Sequence, residues 1–103
     1  MNKYEVLWVD DNVEEQDAVL VSAYLEGINI TFFKTSKLVM EELSSKIEYY
    51  DAVILDAMVY NESKDEKAGL IGLQNSIKKI NSLADRKKIP YFIIKEFVGK
   101  DLV

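Results

Sequence analysis

At 103 residues the chain is long enough for one domain, near the small end of what supports its own core. It has no cysteine and no histidine, which removes disulfides, thiolate chemistry, His-ligated zinc and any His-based triad. The net charge of −5 argues against a broad nucleic-acid surface. No apolar run approaches the ~20 residues of a membrane span, and Met1 to Glu5 enter a strand pattern without a signal-peptide core. The expectation is a single cytoplasmic domain over residues 1–103, with no membrane and no nucleic-acid partner.

The elements alternate along the chain. Val6-Leu7-Trp8-Val9 is an apolar run of strand length that stops at Asp10-Asp11, as a strand buried on both faces would. Asn12 and Glu15 have capping-box spacing, so a helix is predicted from there to about Glu26. It would turn Ala18, Val21 and Leu25 inward and end at Gly27, a suitable residue just past a helix C-terminus. Ile28 to Phe33 alternates apolar and polar residues, which predicts a half-buried second strand. Ser36 is placed to cap a second helix carrying Val39, Met40, Leu43 and Ile47 inward. Asp51 opens a third strand, Ala52-Val53-Ile54-Leu55, which stops at Asp56. Leu70, Leu73, Ile77 and Ile80 form one stripe of a third helix. Tyr91 to Ile94 is the fourth strand, entered through Pro90.

Strand and helix repetition predicts parallel strands joined by right-handed crossovers, in an α/β sandwich of three layers. Ligands in such sheets bind beyond the carboxyl ends of the strands. A single Asp at a strand end is an ordinary turn or capping residue. Two in succession, with a third on another strand, form a constellation. If the first and third strands are neighbours, Asp10, Asp11 and Asp56 converge on one small volume. Carboxylates held that close repel one another unless a cation intervenes. Hard oxygen ligands with room for waters suit Mg²⁺, leaving one carboxylate to act on a phosphoryl group.

Four segments then resemble the receiver domains of two-component response regulators. Val6 to Asn12 match the family's first strand and acidic pair, and Asp51 to Asp56 its phosphoacceptor strand. Gly72 to Ile80 match the opening of its third helix, and Ile89 to Ile94 its fourth strand. The resemblance implies a flavodoxin-like fold with a parallel sheet of order 2-1-3-4, truncated after strand four. It implies that Asp56 is the phosphoacceptor, served by a sensor histidine kinase or phosphotransfer protein. Asp11 would bind Mg²⁺ directly and Asp10 through a metal-bound water, with the backbone carbonyl of Met58 as a further ligand. The protein would be no enzyme in the usual sense, but a substrate that assists its own phosphorylation.

Two departures from the family pattern bear on that reading. Residues 60–68 make a longer and more polar connection than the family has, with Tyr60 where a proline is usual. The sequence also has Lys95 where the family has Thr or Ser, and it does not extend to a fifth strand with its lysine or to a last helix. Three explanations stand: a shortened receiver, exchange of elements with a second copy, or a tail folded back so that Lys95 or Lys100 supplies the missing cation, Lys95 being the better placed because it follows strand four directly. Apolar strand-four residues left uncovered predict a homo-oligomer through that strand and the tail. The competing expectation is a degenerate receiver that acts as an interaction module without phosphorylation. A haloacid-dehalogenase-type site would need an acid where Met58 stands.

Overall fold

Each of the four apolar runs becomes a strand of one sheet. A computed structural model of the chain describes residues 3–10, 17–57 and 70–94. These form β1 (Tyr4–Val9), α1 (Asp17–Leu25), β2 (Ile28–Phe33), α2 (Ser36–Lys46), a 3₁₀ turn at Ile47–Tyr49, β3 (Ala52–Asp56), α3 (Ile71–Ser82) and β4 (Tyr91–Ile94). All pairings are parallel and the strand order is β2-β1-β3-β4, the flavodoxin-like order the sequence predicted. The chain steps from β1 outward to β2, then reverses across β1 to β3 and on to β4. With right-handed crossovers, that reversal puts α1 on one face of the sheet and α2 with α3 on the other. Among the described residues, no helix is long and apolar enough to cross a membrane.

The core lies on the α2/α3 side. Leu7, Val9, Val53 and Leu55 project from β1 and β3 onto Val39 and Leu43 of α2, Ile47, and Ile80 of α3. Alternation along a strand sends Trp8 and Ile54 to the opposite face, where Trp8 stacks on Phe32 with ring centroids 4.9 Å apart. Gly27 ends α1 with φ at +84°, as predicted. Its carbonyl accepts from Lys3 N (2.7 Å) and Tyr4 N (3.1 Å), tying the end of α1 to the start of β1.

Three local expectations are corrected. The N-cap of α2 is Thr35, whose hydroxyl accepts from Leu38 N at 3.3 Å. Ser36 is instead buried, and its hydroxyl contacts Gly72 O (2.8 Å) and Ser76 Oγ (2.6 Å) of α3. In α3 the buried line is Gly72, Ser76 and Ile80, with Leu73 and Ile77 half-buried, while Leu70 is exposed. Small residues win that position because they let the two helices approach closely. Ala18, Val21 and Leu25 do not face inward either; α1 buries no residue, and only Leu20 and Ala23 are half-buried. Sequence periodicity identified an apolar stripe but assigned it to the wrong flank of the helix.

The connection from α3 to β4 is pinned to the 3₁₀ turn. Arg86 grips Glu48 with two parallel hydrogen bonds (2.9 and 2.7 Å) and donates to Ser44 O at 2.6 Å. Lys87 Nζ donates to the carbonyls of Tyr50 (2.5 Å) and Glu48 (3.3 Å). Both lysine contacts end on backbone carbonyls, so the entry to β4 is fixed relative to β3.

Candidate functional site

Val9 and Leu55 are register partners on β1 and β3. The next residues along those strands are Asp10 and Asp56. Neighbouring strands run about 4.8 Å apart, so the two carboxylates leave the sheet side by side at its carboxyl edge. Both residues are nearly enclosed, Asp10 at 5% and Asp56 at 4% exposure.

The backbone holds each in place from its outer side. Asp10 N donates to Phe33 O of β2 at 2.9 Å. Asp56 is paired with Ile94 of β4, and Ala57 N donates to Ile94 O at 3.0 Å. The two acids therefore sit on the two central strands, each flanked by a further strand. Carboxylate oxygens at adjoining strand ends are the type of donor a hard divalent cation such as Mg²⁺ takes. Among the described residues, no group of three or more acidic, His or Cys side chains gathers to hold a metal. Asp11, the Met58 carbonyl and Lys95 all lie outside the described residues, as do residues 60–68.

The sheet's opposite end carries a hollow lined by Thr31, Glu42, Lys46, Glu48, Tyr49 and Tyr50. Its polar groups find partners within the fold. Tyr50 donates to Glu42 at 2.5 Å, Lys46 lies 4.0 Å from Glu42, and Arg86 neutralises Glu48. Its electrostatics are structural, as the tyrosine shows: burial first, and then the Glu42 carboxylate, push the Tyr50 hydroxyl well above its ordinary value.

Sequence reasoning placed Asp10 and Asp56 together and missed the polar contact that locks α2 to α3. Its signal was present: Gly72 and Ser76 stand four apart, one small line along the helix.

No family model and no curated protein matches the sequence. Solved structures do match its fold. A signal receiver domain of a putative LuxO repressor protein from Vibrio parahaemolyticus aligns with TM-score 0.62 and 14% identity, over 99% of this chain and 68% of that one. A response regulator receiver domain protein from Clostridium thermocellum aligns with TM-score 0.56 and 15% identity, over 96% of this chain and 87% of that one. This chain has the receiver-domain fold. A fusion carrying a trimeric coiled-coil segment of yeast Spc42 also aligns, with TM-score 0.64 and 13% identity. All of this chain but only 61% of that fusion is covered. The receiver fold explains the site's position, because β1 and β3 are the adjacent strands at which its chain direction reverses.

Proposed function

We propose that the chain is a response-regulator receiver that accepts a phosphoryl group on Asp56. The observation supporting this most directly is the enclosed Asp10 and Asp56 pair at adjoining strand ends. One Asp56 carboxylate oxygen attacks the phosphorus in line, while the bond from phosphorus to the donor breaks. From a phosphohistidine donor, the leaving imidazole nitrogen keeps the bonding electron pair and the product is an acyl phosphate. Anionic nucleophile and anionic phosphoryl group repel, so charge neutralisation is the main need of such a step. Mg²⁺ would supply that neutralisation, held by Asp10, Asp11, Asp56 and the Met58 carbonyl. Lys95 is the candidate second cation.

The partners on this reading are a sensor histidine kinase or a phosphotransfer protein in the cytoplasm, together with a second copy of the chain contacting strand four. The chain is the substrate of the transfer and assists it by positioning charge.

Trp8 lies two residues before Asp10 and is a built-in reporter. Its fluorescence, checked by calorimetry, is to be followed through Mg²⁺ and then beryllofluoride addition, on the native chain and on Asp56→Asn. Saturable Mg²⁺ binding and a further change with beryllofluoride that Asp56→Asn abolishes support the reading. Mg²⁺ binding with no beryllofluoride response would instead mark a phosphorylation-independent interaction module.

A further inference from the structure

Lys34 directly follows the last residue of β2, at the same edge of the sheet as Asp10 and Asp56. Phe32, Trp8 and Ile54 are register partners across β2, β1 and β3, and the next row is Phe33, Val9 and Leu55. One residue further along, the row is Lys34, Asp10 and Asp56. The hydrogen bond from Asp10 N to Phe33 O, at 2.9 Å, carries the β1–β2 ladder to that point. With about 4.8 Å between strands, Lys34 stands one strand from Asp10 and two from Asp56.

The three charges of this row have unequal surroundings. Asp10 and Asp56 are nearly enclosed, whereas Lys34 is exposed. On the far side, the register partner of Asp56 is Ile94, which brings no charge. A phosphoryl group arriving at two buried carboxylates adds negative charge where negative charge already stands. The row's one cation flanks that place from the β2 side, on a flexible four-carbon stem that can lean over the strand ends while its ammonium stays hydrated. Lys37, the next cation along the chain, lies elsewhere. With Met40, Glu41, Ser44 and Lys79 it lines a hollow between α2 and α3.

We infer that Lys34 is a catalytic residue of phosphoryl transfer to Asp56, its ammonium contacting an oxygen of the incoming group from the β2 side. The inference rests on the reading of Asp56 as phosphoacceptor. The ammonium makes and breaks no covalent bond and keeps its three protons, donating charge-assisted hydrogen bonds to the phosphoryl oxygens. Negative charge on those oxygens during transfer is what a cation already in place stabilises. On a divalent cation held by the same acids Lys34 acts in the opposite sense, because like charges repel. Removing its charge therefore weakens the anionic ligand and leaves the cationic one as tightly bound or tighter.

That difference in sign gives the test. The native chain, Lys34→Gln, Lys34→Arg and Lys37→Gln are titrated by calorimetry with Mg²⁺, and then with beryllofluoride in saturating Mg²⁺. Beryllofluoride takes the place of a phosphoryl group on a carboxylate, and circular dichroism checks that each variant keeps the fold. Lys34→Gln is expected to bind beryllofluoride about tenfold more weakly, the loss of one charge-assisted hydrogen bond, while binding Mg²⁺ no more weakly than the native chain. Lys34→Arg, which keeps the charge, should retain most of the beryllofluoride affinity. Lys37→Gln, which removes one charge three residues away, should match the native chain. Beryllofluoride binding by Lys34→Gln that equals that of Lys37→Gln overturns the inference and leaves the reading of Asp56 standing. So does a parallel loss of Mg²⁺ binding in Lys34→Gln, which would mark damage to the acid pair itself. A native chain that binds Mg²⁺ and never beryllofluoride overturns both.

Discussion

Ser36 Oγ and Ser76 Oγ lie 2.6 Å apart between α2 and α3, and both also approach Gly72 O, at 2.8 and 2.9 Å. One carbonyl thus serves two buried hydroxyls where the helices cross. The contact fixes α2 against α3 on the core face of the sheet.

Truncating either serine removes a satisfied buried hydrogen bond, at a cost of about 1 kcal/mol. Enlarging Ser76 to Leu forces the helices apart and is expected to cost more, about 1–3 kcal/mol. Urea unfolding of Ser36→Ala, Ser76→Ala and the double variant checks this. The double variant should lose less than the sum of the singles, because the two hydroxyls share partners.

Gly27→Ala is expected to destabilise through the backbone alone. The residue has φ at +84°, and the nearest atoms to an added methyl are those of the Lys3 side chain, at 3.6 Å or more. Left-handed backbone costs a residue with a Cβ about 1–2 kcal/mol. Thermal unfolding should show that loss with no change in the sheet's circular dichroism.

Stability should fall at low pH through Glu48. The Arg86 hydrogen bonds hold its carboxyl below the ordinary glutamate range. A group with a depressed folded value contributes stability above its unfolded value, about 4.3 for Glu, and loses it as pH falls through the folded value. Arg86→Met should therefore be less stable than the native chain near neutrality, and the difference should narrow in acid to what the Ser44 O hydrogen bond contributes. Because the pair is exposed, the effect should also shrink with added salt.

Tyr50 has the opposite sign. Burial and Glu42 raise its hydroxyl, so its contribution is full below the unfolded value of about 10 and is lost as pH rises through the higher folded value. Tyr50→Phe should cost about 1 kcal/mol near neutrality and flatten the alkaline fall in stability. Urea midpoints at neutral and alkaline pH check both.

Much of this was legible in the residues. The apolar runs before Asp10, Asp56 and Lys95, and the alternating run before Lys34, are each followed or preceded by a helical pattern, and that strand–helix alternation is what made a parallel sheet legible. Asp10 and Asp56 were legible because strand ends place side chains where the chain leaves the sheet. Helix faces were less legible. Ala18, Val21 and Leu25 have inward periodicity, yet α1 is apolar all round, so periodicity could not choose a flank. Ser36 reads as a cap because serine often is one, but the neighbouring Thr35 has the extended backbone, φ −135° and ψ 155°, that a cap requires. The closeness of α2 and α3 depends on Gly72 and Ser76 meeting Ser36, thirty-six residues from Gly72, a tertiary match no local pattern contains.

The most direct test of the central claim is phosphoryl uptake itself. The native chain and Asp56→Asn are incubated with Mg²⁺ and a small phosphodonor such as phosphoramidate, and intact masses are recorded with and without hydroxylamine, which cleaves acyl phosphates. The account predicts one added phosphoryl group on the native chain, removed by hydroxylamine, and none on Asp56→Asn. An Asp56→Asn chain labelled to the same extent, or a folded native chain that takes up Mg²⁺ and is never labelled, would contradict it.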